Sequence, residues 1–169
     1  MTEIKPTDIK ENLIKLISKD WMLVTAGSID RFNTMTASWG MMGEMWGMDV
    51  AEVVIRPQRY TNEFIESNDR FTMSFFPDSM KPLLTAMGTK SGRDIDKMHY
   101  PGLEAVELPS GSLTFKGAKL VIECEKIYVD RFNPDAFIDK SIIDRWYEGD
   151  FHYRYIGKIV GAWVDDNDK

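Results

Sequence analysis

The chain has 169 residues and a mass of 19.5 kDa, 43% hydrophobic and 28% charged, which predicts one domain over residues 1–169 with a core that needs no disulfide or structural metal. Its 21 basic and 27 acidic residues give a formal charge of -6, which argues against general adhesion to nucleic acid or anionic membrane. Cys124 is the only cysteine, so an intrachain disulfide, CxxC redox chemistry and a cysteine-rich zinc site are excluded, and any redox chemistry must be borrowed from a bound group.

The opening run Met1-Thr2-Glu3-Ile4-Lys5-Pro6 lacks an apolar signal core, and no apolar run nears the ~20 residues that cross a bilayer, so a cytoplasmic protein is expected. Residues 7 to 19 place Ile9, Leu13, Leu16 and Ile17 on one helical face, with Asp8 and Glu11 spaced as an N-terminal capping pair. Trp21 to Gly27 is a strand-like apolar run, and a turn over Asp30 to Asn33 returns the chain through a second strand at residues 34 to 39. A glycine- and methionine-rich segment follows at residues 40 to 48, then a strand at Ala51 to Ile55 that Pro57 stops.

Thr61 can cap a short helix carrying Phe64 and Ile65. Phe71 to Phe76 alternates large apolar residues with hydroxyls, the pattern of a half-buried strand, and Ser79 to Met87 predicts a helix ending near Gly88. Residues 88 to 102 are polar and turn-rich, Leu120 to Val129 is a long strand, and Pro134 fits the first turn of a helix holding Phe137, Ile138, Ile142, Ile143 and Trp146. Tyr153 to Val164 supplies the last strand, with Gly157 and Gly161 at close approaches or bulges, and Asp165, Asp166 and Asp168 read as a solvated tail. Strands separated by short helices, without regular alternation, predict a mainly β fold forming a mostly antiparallel barrel or curled sheet.

Neither a GxGxxG dinucleotide fingerprint nor a GxxxxGK[ST] phosphate loop occurs, so any nucleotide-like group must be held another way. Three segments can do this. In Thr34-Met35-Thr36-Ala37-Ser38-Trp39 the small residues leave a flat ligand room against the backbone while hydroxyl and N–H groups meet its polar edge, although threonine and tryptophan are also ordinary strand formers. Arg56-Pro57-Gln58-Arg59-Tyr60-Thr61 puts two arginines at a strand-to-helix junction, which suits anion capture but equally describes solvated charges beside a turn. Gly88 to Lys97 brings Lys90, Arg93 and Lys97 together with hydroxyls and flexible backbone, either an anion wrap or a charged surface turn with Asp94 capping a helix.

His99 and His152 are the only histidines and lack metal-ligand spacing, so both read as structural or surface residues. No nucleophile, base and orienting acid fall together, and Ser38, Ser91 and Ser110 are outside any nucleophile-elbow motif. Met41, Met42, Met45 and Met48 fit packing or substrate lining better than metal binding, and Trp39, Trp46, Trp146 and Trp163 fit packing with stacking on a planar group as the alternative.

Taken in order, Asn33 to Gly40, Arg59-Tyr60-Thr61 and Ser91 to Lys97 resemble the flavin reductase-like, FMN-binding split-barrel family, in particular its flavoredoxin-like members, over most of the chain. The resemblance implies a Greek-key-like antiparallel split β-barrel that forms a homodimer, binds FMN near the subunit interface and holds no permanent metal. It implies FMN contacts from Met35, Thr36, Ala37, Ser38 and Trp39 along the ring and ribityl groups, and from Arg59, Thr61, Ser91, Gly92, Arg93 and Lys97 at the phosphate end. It further implies an oxidoreductase that passes electrons from NAD(P)H or a reduced partner protein through FMN to a flavin, small-molecule or protein acceptor, with no protein group assigned to catalysis. The alternative is a non-catalytic FMN-binding electron carrier or redox-sensing module. Family members often carry a lysine and a proline after the Trp-Gly pair, whereas Met48 and Asp49 follow Trp46-Gly47 here, which adds negative charge.

Overall fold

The computed structural model describes residues 1–166. Its main sheet is antiparallel throughout. In chain order the elements are β1 (Thr2–Ile4), α1 (Leu13–Lys15), β2 (Met22–Ser28), β3 (Arg31–Ala37), β4 (Gly40–Met45), β5 (Met48–Ile55), α2 (Tyr60–Ser67), β6 (Arg70–Phe75), α3 (Lys81–Thr89), β7 (Ala105–Glu107), β8 (Leu113–Phe115), β9 (Leu120–Arg131), α4 (Ser141–Trp146) and β10 (Tyr153–Val164). Among the described residues the strands run β3-β2-β6-β9-β10-β5-β4, with β1 also on β10, and β7 pairs with β8 in a small separate sheet.

The two ends of that order, β3 and β4, are not hydrogen-bonded to each other, yet only Ser38 and Trp39 separate them in sequence. The sheet therefore curls until its ends almost meet, and the gap is spanned by covalent chain. This is the split of an antiparallel β-barrel, as the family resemblance implies.

The period of two along each strand divides the packing into two layers. Met22, Val24 and Ala26 of β2 face the barrel interior with Met35, Val53, Ile55, Phe71, Met73, Ile122 and Tyr155, while the intervening Leu23 joins an outer cluster with Leu84, Met87, Phe115, Val121 and Trp163. That outer layer is built from α3 and the 103–118 segment, tied to β6 by Thr72 Oγ1 donating to the Leu113 carbonyl (2.5 Å) and by the Ser74 and Thr114 hydroxyls (2.9 Å). The β7–β8 pair has no counterpart in the sequence-based elements, because its three-residue strands are too short to show alternation.

Several boundaries move. The predicted helix over residues 7 to 19 divides: Pro6–Asp8 is a 3-10 turn, and α1 begins after Asn12, whose side chain accepts from the Lys15 amide (3.0 Å) and so takes the capping role expected of Asp8 and Glu11. The helix then widens into a π-type turn over Leu16–Asp20. The apolar face itself is as predicted, with Leu16 and Ile17 buried and Ile9 and Leu13 packed against the core.

The hairpin after β2 turns at Ile29 and Asp30, since Ser28 pairs with Arg31, so Arg31 to Asn33 belong to a strand and not to the turn. Residues 40 to 45 form β4, whose Met41 and Met45 are exposed; the missing apolar-in pattern hid it. Arg59, not Thr61, occupies the N-cap of α2. Asn133 and Asp139 each bind amides two residues ahead, breaking the helix expected after Pro134 into the 3-10 turn Pro134–Ala136 and the short α4. Gly157 and Gly161 fall where the β9–β10 register shifts, as expected of bulges.

Candidate functional site

Beside the barrel split lies a cleft of about 270 Å³ walled by Met35, Thr36, Ala37, Ser38, Trp39, Val54, Arg56, Arg59, Trp146 and His152. Its floor is the end of β3 and the link to β4. Thr36 packs against Gly88, where a Cβ on the glycine would come within 3.2 Å of the threonine Cβ, and the Thr36 hydroxyl donates to the Leu84 carbonyl. Ser38 makes no side-chain hydrogen bond among the described residues, leaving its hydroxyl for a ligand.

One wall is aromatic. Trp39 meets Trp146 edge to face (5.1 Å between ring centres) and His152 at 5.0 Å, and His152 Nδ1 lies 3.2 Å from the Tyr147 hydroxyl. Burial, and secondarily the Arg56 charge, hold His152 down at a pKa of about 4, so it is a neutral part of the wall. Arg56 is not free to capture an anion: it pairs with Asp150, donates Nη2 to the Trp146 carbonyl (2.7 Å) and lies over Tyr147.

The cleft continues into a second pocket of about 90 Å³ that shares Met35 and Arg59 with it. Asn33, Gln58, Tyr60, Thr61, Thr89, Lys90, Ser91, Gly92 and Lys97 complete its lining. The first turn of α2 thus forms one wall, where the helix dipole favours negative charge. Gly92 sits so close to the opposite side that a Cβ would fall 2.1 Å from Asn33 Oδ1, and Asn33 is fixed by donating Nδ2 to Thr61 Oγ1 (2.7 Å).

Three cations line this small space: Lys90 is exposed, Arg59 is half-buried and Lys97 is buried. Lys97 is 4% exposed, and its Nζ donates to the carbonyls of Thr34 (2.8 Å) and Met87 (2.9 Å). Arg59 donates Nη1 to the Gly88 carbonyl (2.8 Å). Neither forms an ion pair with a carboxylate among the described residues. Burial depresses both, and together with the neighbouring Arg59 charge brings Lys97 to about 8.

Of the residues read from sequence, Met35 to Trp39, Arg59, Thr61, Ser91, Gly92 and Lys97 converge on these two connected spaces. Arg93 lines neither: its guanidinium donates to the Gln58 carbonyl (3.0 Å), pairs with Glu63 and lies over Tyr60. Sequence reading missed Val54 and His152 as lining and gave Trp146 stacking only as an alternative to packing, since only folding brings them to β3; it named Arg56, which is drawn off to Asp150. His99 is exposed and pairs with Asp96. Cys124 is buried, and burial pushes its thiol far above the usual range, so it offers no nucleophile. Among the described residues there is no cluster of three or more side chains able to hold a metal ion and no helix long and apolar enough to cross a membrane.

Residues 15–169 match the family model described as flavin reductase like domain. Among solved structures, the chain is similar to an FMN-binding protein from Thermus thermophilus with bound p-hydroxybenzaldehyde (TM-score 0.71, 23% identity, covering 98% of this chain and 83% of the other). It is similar to the flavoredoxin of Methanosarcina acetivorans (0.70, 20%, 87% and 69%). A third likeness is to the NADH:FAD oxidoreductase SgcE6 of Streptomyces globisporus C-1027, solved in complex with NAD and FAD fragments (0.65, 14%, 86% and 74%). No curated protein matches the chain.

Proposed function

The chain belongs to the flavin reductase like domain family, and from that premise we propose that it binds FMN across the cleft and the adjoining pocket and acts as an FMN-dependent oxidoreductase. One observation carries this reading. Arg59 and Lys97 are held in a single small pocket with only main-chain carbonyls for partners, in a chain with 27 carboxylate side chains to spare. Burying two cations without a counter-charge is costly, and a dianionic phosphate supplies that charge.

In this reading Arg59, Thr61, Ser91, Gly92 and Lys97 hold the phosphate, helped by the first turn of α2, while Arg93 braces the turn that carries Ser91 and Gly92. Met35, Thr36, Ala37, Ser38 and Trp39 hold the ring and ribityl groups. When bound, FMN supplies the hydride and electron chemistry, which is why the chain needs no reactive thiol, triad or metal of its own. Trp39, Trp146 and neutral His152 form a wall that keeps water from that side of the cleft without offering a proton near neutral pH.

The electron donor in this reading is NAD(P)H, of which NADH is the donor named for SgcE6; the flavoredoxin likeness favours a second reading, an FMN carrier reduced by a partner protein. We place the functional unit as a homodimer of one-domain chains, supported by the exposed Met41, Met45, Trp46, Ile127, Tyr128 and Val129 on β4, its hairpin turn and β9.

Titrating the purified, cofactor-free chain with FMN, then mixing with NADH or NADPH in a stopped-flow cell, tests this. FMN binding with bleaching at micromolar donor is the expected result. Reduction only by a reduced redox protein transfers the assignment to a carrier, and failure to bind FMN overturns it.

A further inference from the structure

Arg93 follows Gly92 on one wall of the small pocket, yet its side chain leaves that wall and reaches the other. It donates Nη1 to the Gln58 carbonyl (3.0 Å), pairs through Nη2 with Glu63 of α2, and lies over the Tyr60 ring at 4.6 Å. Gln58 and Tyr60 are themselves lining residues. The guanidinium thus fastens the 89–92 wall to the 58–61 wall without entering the space between them. The turn is also drawn inward, with Ser91 Oγ accepting from the Arg93 amide (3.1 Å) and the Ser91 carbonyl accepting from the amides of Asp94 and Ile95.

What this clasp encloses is small. About 90 Å³ is well below the roughly 300–1,000 Å³ of a pocket that takes a drug-sized ligand, and an adenylate is of that size. The space suits one terminal phosphate. A dinucleotide such as FAD carries a second phosphate and a nucleoside beyond that point, and any route for them between the 58–61 and 89–92 walls is crossed by Arg93.

We propose that the Arg93–Glu63 clasp is a specificity determinant that closes the phosphate pocket around a mononucleotide and rejects the dinucleotide FAD. This rests on the flavin reading above and deepens it. Arg93 is a positioning residue here: it acts through the walls it joins and touches no phosphate. Removing Glu63 strips one anchor from the guanidinium and also adds net positive charge nearby, which attracts FMN and FAD alike. The ratio of the two affinities therefore isolates the clasp.

The experiment is fluorescence titration of cofactor-free wild type, Arg93→Ala, Glu63→Ala and the charge-swapped Arg93→Glu/Glu63→Arg with FMN, riboflavin and FAD. Wild type should prefer FMN to FAD, and each single variant should reduce that preference by up to about fivefold, the scale of one half-exposed ion pair. The swap should restore part of it. FMN binding by wild type with no preference over FAD, or a preference unchanged in both single variants, overturns the clasp while leaving the flavin reading intact. Absence of FMN binding by folded wild type overturns both.

Discussion

Lys97 and Arg59 line one pocket, and the hydrogen bonds of both head groups end on main-chain carbonyls: Thr34 and Met87 for Lys97, Gly88 for Arg59. The carbonyls satisfy donors without cancelling charge. Each cation consequently raises the cost of the other, and the Arg59 charge adds to burial in lowering the Lys97 pKa. A ligand with two negative charges relieves both.

Replacing either cation should therefore separate FMN from riboflavin, which lacks the phosphate. Arg59→Ala and Lys97→Met should each weaken FMN by about 10- to 100-fold, the worth of one charged hydrogen bond, and riboflavin by no more than about threefold. Titration by flavin fluorescence measures both. An equal loss for the two ligands would remove the phosphate assignment.

Affinity for FMN should also depend on pH. Ligand-free, Lys97 releases its proton at about 8, whereas a bound phosphate favours the charged form, so binding takes up a proton above that pH. FMN affinity should fall as pH rises through 8, approaching about tenfold per unit, with riboflavin level and Lys97→Met abolishing the slope. The sign for folding is the reverse. Between 8 and 10.5 the unfolded chain keeps a proton that the ligand-free fold has lost, so this group's contribution to stability rises with pH across that window.

His152 predicts acid sensitivity. Its pKa falls from 6.5 unfolded to about 4 folded, so at pH 7 both states are neutral and nothing is lost. As pH drops through 6.5 the unfolded chain takes a proton that the folded one refuses until about 4, removing up to about 3 kcal/mol of stability. Urea unfolding of wild type and His152→Gln at pH 7 and pH 4.5 should show the variant losing less.

The β9–β10 bulge gives a packing test. A Cβ on Gly157 would fall 2.5 Å from Cys124 Cβ and 3.0 Å from the Phe71 ring, so Gly157→Ala should cost about 1–3 kcal/mol in urea unfolding. Gly43 on β4 has nothing within 4 Å of the same position, and Gly43→Ala should shift stability by no more than about 0.5 kcal/mol. Similar losses at both would show that space at the bulge is not what decides.

Much of the barrel was legible because strand alternation is local. Phe71 to Phe76 declares two faces wherever the strand sits, and Trp21 to Gly27 reads as a strand because it is a short apolar run, though which residues face the interior and which the outer layer shows only in the fold. β4 was not, because its methionines are exposed; nor were the breaks near Asn12 and Asp139, where side chains rebind the backbone. At the site, small residues at 36 to 38 and the cations at 59 and 97 stood out by type. Their partners did not: Arg56 and Arg93 are equally basic in sequence, yet folding sends one to Asp150 and the other to Glu63.

By itself the sequence determined the mainly β architecture, that any redox chemistry must be borrowed, and the three segments that meet at the two connected spaces, because periodicity, cysteine count and residue size are properties of short stretches of chain. Tertiary structure alone decided which cations remain unpaired, since that depends on what lies within 4 Å after β3, α2, α3 and the 91–97 turn have come together. Met35 to Trp39 therefore owes its small-residue character as the cleft floor to composition, and its connection to the adjoining pocket to the folding that sets β3 beside Arg59 and Lys97.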